Sequence, residues 1–261
     1  MTNAEPPYVL SSHAAGVATL TLNRGDKFNP LSEEMMAALQ CELDAIKADD
    51  SVRVVVLAAA GKAFCAGHDL KQMRAQPSHA YYSKLFNQCS KMMLTIQHMP
   101  QPVIARVQGI ATAAGCQLVA MCDLAVAARE AKFAVSGVNY GLFCATPSVG
   151  LSRNVSRKQA MEMLLTGDFI DADTARERGL VNRVVPVAEL DAEVGRLVTS
   201  ILAKPAVAVA MGKQLFYKQL EMGVEAAYQL AGQTMACNMM EAAALEGVQA
   251  FIEKRAPDWK T

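Results

Sequence analysis

Apolar and polar residues alternate with a period of two near the start of the chain. The alternation covers residues 8–10 and 17–22, on either side of a short stretch at 13–16 that contains glycine. Strict alternation over such lengths is typical of half-buried strands. The pattern therefore predicts a β-hairpin or a meander.

A helical spacing begins after Ser32, because the next apolar residues recur at intervals of three and four. Serine is a preferred residue immediately before a helix, and Glu33 and Glu34 then stand where acidic side chains complement the helix dipole. The apolar residues of the predicted face are Met35, Met36, Leu39, Leu43 and Ile46. These features predict an N-capped amphipathic helix.

A valine-rich, largely apolar run follows at residues 52–58, as expected of a strand that is covered on both faces. Two further strands are predicted at residues 103–107 and 124–128. Helical spacing separates the runs, within residues 80–98 and again from about residue 113. The alternation of strands and helices predicts an α/β fold with buried parallel strands.

Strand signals almost disappear from Pro205 onward. Apolar stripes at helical spacing predict three successive helices, over residues 207–219, 224–238 and 241–253. Those stripes require burial against another surface. We therefore predict an α/β core over residues 1–203 and a separate helical region over residues 204–261.

Composition indicates a large buried core and excludes several kinds of partner. Hydrophobic residues make up 52% of the 261 positions, and 25 Lys and Arg balance 25 Asp and Glu. A net charge of zero argues against binding to nucleic acid or to an anionic membrane surface. The apolar stretch at 106–129 is long enough to span a bilayer, but glycines and Asp123 divide it, so we interpret it as buried core.

The cysteines and the first seven residues bear on the cellular location of the protein. Seven cysteines occur without a single CxxC pair, which argues against a disulfide framework or a zinc site and favours a reducing environment. Residues 1–7 lack the basic and then apolar profile of a signal peptide. These observations predict a cytoplasmic protein. His13, His79 and His98 show no metal-ligand spacing, so no metal is expected.

Two loops with small residues follow predicted strands, at 61–70 and 108–117. In α/β proteins, ligands bind at the carboxyl ends of strands, and glycine allows a backbone to approach a ligand closely. Main-chain N–H groups at a helix N-terminus carry partial positive charge, so two of them could hold one oxyanion. The alternative is that these glycines only permit tight turns.

Several motifs in order resemble the crotonase (enoyl-CoA hydratase/isomerase) superfamily. The matching segments are residues 22–32, 62–70, 109–123, 166–167, 175–185 and 246–255. Within this superfamily, three segments are most similar to the enoyl-CoA hydratase domain-containing proteins of the third type. They are residues 66–70, 113–118 and 137–144.

The resemblance implies a fold and a chemistry. It implies a crotonase/ClpP-like spiral of ββα units and a C-terminal helical region that assembles a homotrimer or a hexamer. The implied substrate is an acyl-CoA or enoyl-CoA thioester of fatty-acid metabolism, with no further cofactor. By motif position, the N–H groups of His68 and Ala114 would hold the thioester carbonyl oxygen, and Gly115 would follow them at the helix start.

The resemblance also implies where CoA binds. Lysines would face its phosphates, and small or apolar residues would line its adenine and pantetheine path. The implied residues are Lys27, Phe28, Lys62, Ala66, His68, Asp69, Leu70, Lys71 and Gly115, with Lys254 reaching from a neighbouring subunit. Asp69 would brace its loop. Solvated surface lysines and ordinary packing are the alternatives for these positions.

The sequence departs from the hydratase pattern at both acid–base positions. Hydratases of this superfamily use two glutamates, at the positions of Gln117 and Gly137. Gln117 cannot ionise and Gly137 has no side chain, so hydration is expected to be severely reduced, because each acid–base group typically contributes about 10²–10⁴-fold. Position 145, where related enzymes carry an acid, is also apolar. Restoring both glutamates is expected to raise activity if the pocket geometry is intact.

Other functions stay open at this stage. The first is a catalytically weak or inactive protein that only binds or sequesters acyl-CoA. A second is nucleophilic catalysis by Cys65 or Cys116, although cysteine is among the most buried residue types. A serine peptidase of the related spiral fold would need a serine at residues 112–115, and none is present.

Overall fold

A computed structural model describes residues 6–259 of the chain. Within that range the backbone forms ten strands and eleven α-helices. The strands are β1 (Val9–Ala14), β2 (Val17–Leu22), β3 (Val54–Ala59), β4 (Ala63–Cys65), β5 (Val103–Val107), β6 (Ile110–Thr112), β7 (Leu124–Ala128), β8 (Lys132–Ala134), β9 (Ile170–Asp171) and β10 (Arg183–Val185).

The helices surround the strands and then continue without them at the C-terminal end. They are α1 (Glu33–Lys47), α2 (Leu70–Ala75), α3 (His79–His98), α4 (Ala114–Met121), α5 (Ala145–Leu151), α6 (Arg157–Thr166), α7 (Ala172–Glu177), α8 (Leu190–Leu202), α9 (Ala206–Gln219), α10 (Val224–Met239) and α11 (Ala242–Ile252). Ser32 caps α1 as predicted, since its hydroxyl accepts a hydrogen bond from the N–H of Met35.

Two sheets organise the fold. Six strands pair in the order β1-β2-β3-β5-β7-β10, and four pair in the order β4-β6-β8-β9. Strands β3, β5 and β7 each lie in the first sheet, and the strand that follows each of them lies in the second. The chain therefore winds as a spiral that contributes one strand per turn to each sheet, which confirms the predicted α/β spiral.

Burial on both faces explains the valine-rich pattern of β3. All six of its residues are buried. Val54 and Val56 pack in a cluster with Leu190 and Val194 of α8, while Val55 and Leu57 point into the main core. Successive residues of a strand face opposite sides of the sheet, so a strand between two layers is apolar at every position.

The longer predicted elements are confirmed and the shortest ones were missed. Strands β5 and β7 have the predicted bounds, and β1 and β2 form the predicted antiparallel hairpin. The second sheet was not visible in the residue pattern, because β4, β6 and β8 have three residues each, too few to show a period. Pairing with one another places them in a sheet.

A buried ion pair attaches helix α9 to the core. The Lys213 ammonium donates to the carbonyl oxygens of Ile96 and Gln101, each at 2.8 Å, and to the Asp123 carboxylate at 2.7 Å. Asp123 also accepts hydrogen bonds from the Val103 N–H and the Tyr217 hydroxyl. Asp123 therefore pairs in the core and joins α9 to the start of β5.

Helices α9–α11 carry the predicted apolar stripes, and many of those side chains are exposed in the single chain. The exposed apolar residues include Phe216, Leu220, Val224, Tyr228, Met235, Met240, Leu245, Phe251 and Ile252. The division of the chain at residues 203 and 204 stays a prediction.

No single helix within residues 6–259 is both long and apolar enough to cross a bilayer. The segments Val187–Leu202 and Ala206–Gln219 meet that criterion only when taken together, across a bend of 104°.

Candidate active site

A cavity of about 340 Å³ opens where the two small-residue loops meet. Its walls come from the loop after β4, helix α2, one residue of α3, the start of α4, the segment between β8 and α5, and the first turn of α5. The lining residues are Ala66, His68, Leu70, Met73, Phe86, Ala113, Ala114, Ser136, Gly137, Tyr140, Gly141, Leu142, Phe143, Cys144, Ala145, Thr146 and Pro147. Most of them are apolar, as is typical of ligand pockets.

The two loops approach each other so closely that side chains are excluded between them. Gly67 has φ +89°, and a Cβ placed on it would lie 3.0 Å from Ala113 Cβ and 3.3 Å from the main-chain nitrogen of Ala114. A Cβ on Gly115 would overlap the carbonyl oxygen of Cys65. The glycines therefore do more than permit turns, because they fix the distance between the loops.

Helix α4 begins from a strained residue. Ala113 precedes it with φ 50° and ψ −121°, a conformation that L-residues rarely adopt and that costs about 1–3 kcal/mol. Its N–H donates to the Ala134 carbonyl at 3.0 Å, which holds this turn against β8. The strained turn leaves the first N–H groups of α4, beginning at Ala114, without helical acceptors.

The N–H groups of His68 and Ala114 have no hydrogen-bond acceptor within residues 6–259. Both residues line the cavity, and Ala114 is buried. Buried main-chain N–H groups are nearly always paired, so two free ones beside one cavity mark a place where a ligand oxygen can bind. The structure thus brings the two sequence-predicted residues together.

Two polar side chains that sequence reasoning missed hold the first loop in place. The buried Asn29 amide donates to the carbonyl oxygens of Ala60 and Ala63 at 2.8 and 3.0 Å. The Gln108 amide donates to Ala59, Gly61 and Ala63. Asn29 has φ 52°, a left-handed conformation in which asparagine is enriched, and the Asn-Pro pair at 29–30 was the available signal.

The His68 side chain lies in the wall of the cavity and is neutral near pH 7. Burial lowers its pKa from 6.5 to about 4, because the charged form is desolvated. Its ring meets the Phe86 ring edge to face, with centroids 5.5 Å apart. Its Nε2 atom is buried and has no hydrogen-bond partner within the described residues.

Of the two positions at which hydratases carry glutamates, only one lines the cavity. Gln117 lies on α4 with only 4% of its surface exposed, and its Oε1 has no partner within residues 6–259. Gln117 is not among the residues that line the cavity, whereas Gly137 is. None of the described lining residues is aspartate or glutamate, so the cavity wall supplies no carboxylate for acid–base catalysis.

The geometry at Gly137 leaves too little space for a glutamate side chain. A Cβ on Gly137 would lie 2.5 Å from the Leu142 carbonyl oxygen and 2.8 Å from Cys144 Sγ. The Leu142 N–H also donates to the Gly137 carbonyl, which closes a tight turn. A glutamate at position 137 would therefore force this turn open.

The residues expected to contact CoA lie on two adjoining turns near the cavity. A Cβ on Gly25 would lie 2.7 Å from the Ala60 carbonyl oxygen, so the turns that carry Lys27 and Lys62 touch. The Ala66 N–H donates to the Phe28 carbonyl at 3.0 Å. Several of the residues expected to contact CoA are exposed on these turns and at the start of α2, namely Lys27, Phe28, Lys62, Ala66, Leu70 and Lys71.

Two further residues expected to contact CoA, Lys254 and Asp69, are placed differently. The first lies away from the cavity, and the second binds main-chain N–H groups. Lys254 is exposed after α11 and does not line the cavity. The Asp69 carboxylate accepts hydrogen bonds from the N–H groups of Lys71 and Gln72 and so caps α2. This capping agrees with the bracing role that the resemblance implied for Asp69.

The cysteines near the site are packed and protonated. Burial raises the pKa of Cys65 and of Cys116 to about 12, because a thiolate would be desolvated. Cys144 lines the cavity, and its sulfur accepts a hydrogen bond from the Gly137 N–H at 3.3 Å. Burial raises its pKa as well. The packing alternative therefore accounts for Cys65 and Cys116 better than nucleophilic catalysis does.

Comparison with known proteins identifies relatives across the chain. The enoyl-CoA hydratase/isomerase family profile matches residues 12–261. The human protein named enoyl-CoA hydratase domain-containing protein 3, mitochondrial, is 42% identical over 256 residues, which cover 98% of this chain and 84% of that protein. These matches confirm the resemblance to the crotonase (enoyl-CoA hydratase/isomerase) superfamily. They also confirm the greater similarity to its domain-containing proteins of the third type.

Solved structures agree with the fold. The crystal structure of an enoyl-CoA hydratase from Mycobacterium smegmatis is 63% identical, covers 98% of this chain and 100% of that one, and superposes with a TM-score of 0.97. The crystal structure of human enoyl-CoA hydratase domain-containing protein 3 is 42% identical, covers 97% and 100% of the two chains, and gives a TM-score of 0.94.

The predicted cytoplasmic location is wrong by this comparison. The rat, mouse, Xenopus and human relatives are all named as mitochondrial proteins. Free cysteines indicate a reducing environment but do not distinguish one such compartment from another, which is why the prediction failed.

The profile match, the sequence identity to domain-containing hydratases and the spiral of paired strands all agree. This chain belongs to the enoyl-CoA hydratase/isomerase family.

Proposed function

We propose that this protein binds acyl-CoA thioesters and stabilises negative charge on the thioester oxygen through the N–H groups of His68 and Ala114. The observation that carries this proposal is the pair of unpartnered N–H groups beside one apolar cavity. An enolate formed from a thioester concentrates charge on that oxygen, where preorganised N–H donors act most strongly. The start of α4 adds its partial positive charge at Ala114.

The coenzyme portion would leave the cavity over the adjoining turns that carry Lys27 and Lys62. Their ammonium groups are exposed and suited to phosphate oxygens. Phe28, Ala66 and Leu70 offer apolar surface between the cavity and these lysines. In this proposal Lys254 approaches from a neighbouring subunit, and no cofactor other than the CoA thioester takes part.

We further propose that α9–α11 assemble the chain into a homotrimer or a hexamer. Exposed apolar side chains on these helices support this, because a monomer rarely exposes so many of them. Light scattering on the purified protein tests the assembly. A monomeric mass at micromolar concentration would contradict it.

Hydration of enoyl-CoA should be slow in this protein. The addition of water requires a base for the water and an acid for the α-carbon, and the described cavity wall contains no carboxylate. Enolate stabilisation alone would leave a weak lyase or isomerase. A protein that only binds and sequesters acyl-CoA is the second candidate, and the same absence of carboxylates from the described cavity wall supports it.

Titration calorimetry with butyryl-CoA tests the binding step, and free CoA and butyrate serve as control ligands. We expect butyryl-CoA to bind with micromolar or tighter affinity and more tightly than either control. Absence of binding would overturn the proposal. Incubation with crotonyl-CoA then separates the two candidates, because slow product formation indicates an enzyme and none over hours indicates a sequestering protein.

A further inference from the structure

A buried arginine ties residues 6–8 to one of the two turns proposed to bind CoA. Arg24 is 8% exposed, and its guanidinium donates hydrogen bonds to three main-chain carbonyls. The acceptors are Asn23 at 2.7 Å, Pro6 at 2.8 Å and Pro7 at 3.0 Å. The guanidinium also lies 3.8 Å from the centre of the Tyr8 ring. Hydrogen bonds from a charged donor are stronger than neutral ones, so these contacts hold the chain before β1 firmly.

The backbone of Arg24 closes the turn at residues 24–29. Its carbonyl accepts hydrogen bonds from the N–H groups of Lys27 and Asn29, both at 2.9 Å. Its own N–H donates to the side-chain oxygen of Asn29 at 2.8 Å. Arg24 is therefore the residue at which the contacts to residues 6–8 and the main-chain contacts of this turn meet.

The turn needs such an anchor because part of its backbone is strained. Phe28 and Asn29 are adjacent, and both have a positive φ, of 62° and 52°. A bulky residue such as phenylalanine rarely adopts this conformation, which persists only where surrounding contacts fix it. The Phe28 residue is 52% exposed, so its own packing does little to hold the turn. The contacts of Arg24 and of the buried Asn29 amide are thus the ones that maintain it.

The strained turn carries two of the residues proposed to contact CoA. Lys27 and Phe28 are exposed on it. The close approach of Gly25 to the Ala60 carbonyl packs this turn against the one that carries Lys62, so a shift of the turn would change the spacing of the two lysines. No residue of the turn lines the cavity, so the same shift would leave the acyl pocket in place.

We propose that Arg24 is a positioning residue for coenzyme A, which keeps the Lys27 ammonium in reach of a phosphate of the nucleotide by anchoring the turn at 24–29 to residues 6–8. The inference rests on the proposed function, because it requires a CoA thioester whose nucleotide lies over this turn. Arg24 itself does not touch the ligand, since it is buried against main-chain carbonyls. Its loss should therefore weaken binding of the nucleotide and leave binding of the acyl and pantetheine portions almost unchanged.

Titration calorimetry with two ligands tests this inference. S-butyrylpantetheine carries the same thioester as butyryl-CoA but lacks the nucleotide and its phosphates. The quantity compared is the affinity for butyryl-CoA divided by that for S-butyrylpantetheine in the same protein, so a general loss of thioester binding cancels. This ratio should be well above one in the wild type. Arg24→Leu should lower it about three- to tenfold, the size of one polar contact.

Two further variants and a control sharpen the test. Arg24→Lys, which keeps a cation that donates to carbonyl oxygens, should restore part of the ratio. Tyr8→Leu removes only the ring under the guanidinium and should lower the ratio less than Arg24→Leu does. These two variants decide the question if Arg24→Leu does not fold. Arg53→Leu is the control, because that guanidinium also holds a distant main-chain carbonyl, of Lys204, and does not line the cavity.

A combination with Lys27→Leu shows whether Arg24 acts through the turn. Lys27→Leu alone should lower the ratio by a similar factor. Arg24→Leu should then add little, since two residues that act through one contact are not additive. Two effects that multiply in the double variant would overturn the positioning role.

The remaining outcomes distinguish this inference from the function on which it rests. A wild-type ratio near one, or a ratio that every variant of Arg24 and Tyr8 leaves equal to that of Arg53→Leu, would overturn the role of Arg24. Binding of butyryl-CoA in those cases would leave the proposed function standing. Failure of both thioesters to bind the wild type would overturn the proposed function, and this inference with it.

Discussion

Gly67 and Ala114 approach so closely that a Cβ on Gly67 would lie 3.3 Å from the main-chain nitrogen of Ala114. This distance leaves no room for a larger residue between the two loops. The glycine has φ +89°, so its backbone conformation also disfavours other residues. The relative position of the two candidate oxyanion donors, the N–H groups of His68 and Ala114, thus depends on the absence of a side chain at Gly67.

Gly67→Ala should separate the loops and weaken acyl-CoA binding. The added methyl group would push against Ala113 and Ala114, so one of the two N–H donors would move away from the thioester oxygen. We expect butyryl-CoA affinity to fall about tenfold or more, as for the loss of one good hydrogen bond. Calorimetry measures this change.

Gly16→Ala is the matched control for that variant. Gly16 has φ +80° in the turn between β1 and β2, and a Cβ there would meet neighbours at ordinary contact distances, the nearest at 3.4 Å. Both variants should lose about 1–2 kcal/mol of stability from backbone strain. If Gly67→Ala binds butyryl-CoA as Gly16→Ala does, the loops are not held by this contact.

Gly137→Glu should destabilise the protein without restoring hydration. The new side chain would collide with the Leu142 carbonyl and with Cys144, and such overpacking costs about 2 kcal/mol. Adding Gln117→Glu places a further carboxylate on α4, where position 117 is buried. Thermal melting and a crotonyl-CoA hydration assay measure the two effects.

Gly195→Glu provides the comparison, because nothing lies within 4 Å of a Cβ on Gly195 in α8. It should melt close to the wild type. Hydration that rises about 100-fold or more in the double variant, the size of an acid–base contribution, would show that the turn at 137–142 opens easily.

The stability of the fold should fall as the pH drops from about 6.5 to about 4, in part because of His68. Its pKa is lowered in the folded state to about 4, so over this range the unfolded chain binds a proton that the folded chain does not. The contribution is up to about 2 kcal/mol between pH 7 and pH 5. Urea unfolding at the two pH values measures the loss.

His68→Leu should remove this part of the pH dependence, whereas the exposed His79→Gln should retain it. The comparison of variants separates His68 from the carboxylates that titrate in the same range. An unfolding free energy that depends on pH identically in the wild type and in His68→Leu would mean that the imidazole protonates freely in the folded protein.

Lys213→Met should destabilise the attachment of α9 by about 3 kcal/mol, because it leaves the Asp123 carboxylate buried without its cation. Arg153→Met is the control, since it breaks an ion pair with Glu221 in which both side chains are about half exposed. That pair should contribute less than about 1 kcal/mol. Equal urea midpoints for the two variants would contradict the structural role of Lys213.

The elements that the sequence predicted are those in which a local pattern suffices. Helix α1 has a cap, acidic residues in its first turn and a continuous apolar face, and β3 is apolar at every position. Strands β4 and β6 could not be predicted in this way. Their pairing with each other decides their structure, and it connects residues about 45 positions apart.

Glycine positions and motif order led to the prediction that His68 and Ala114 belong to one site, and both residues lie beside one cavity. Their role as oxyanion donors stays a prediction. The support from Asn29 and Gln108 could not be read from the sequence, because it consists of hydrogen bonds to carbonyl groups of a distant loop. Likewise, the sequence shows only that glycine replaces glutamate at position 137. It does not show that Leu142 and Cys144 occupy the space that a side chain at this position would need.

The most direct test of the central claim is the carbonyl stretching frequency of crotonyl-CoA, labelled with ¹³C at the thioester carbon and measured by isotope-edited infrared spectroscopy on the bound ligand. Two N–H donors from His68 and Ala114 polarise the carbonyl, so its frequency should fall on binding to the wild type and fall less in Gly67→Ala. A frequency unchanged between free and bound ligand would contradict the account.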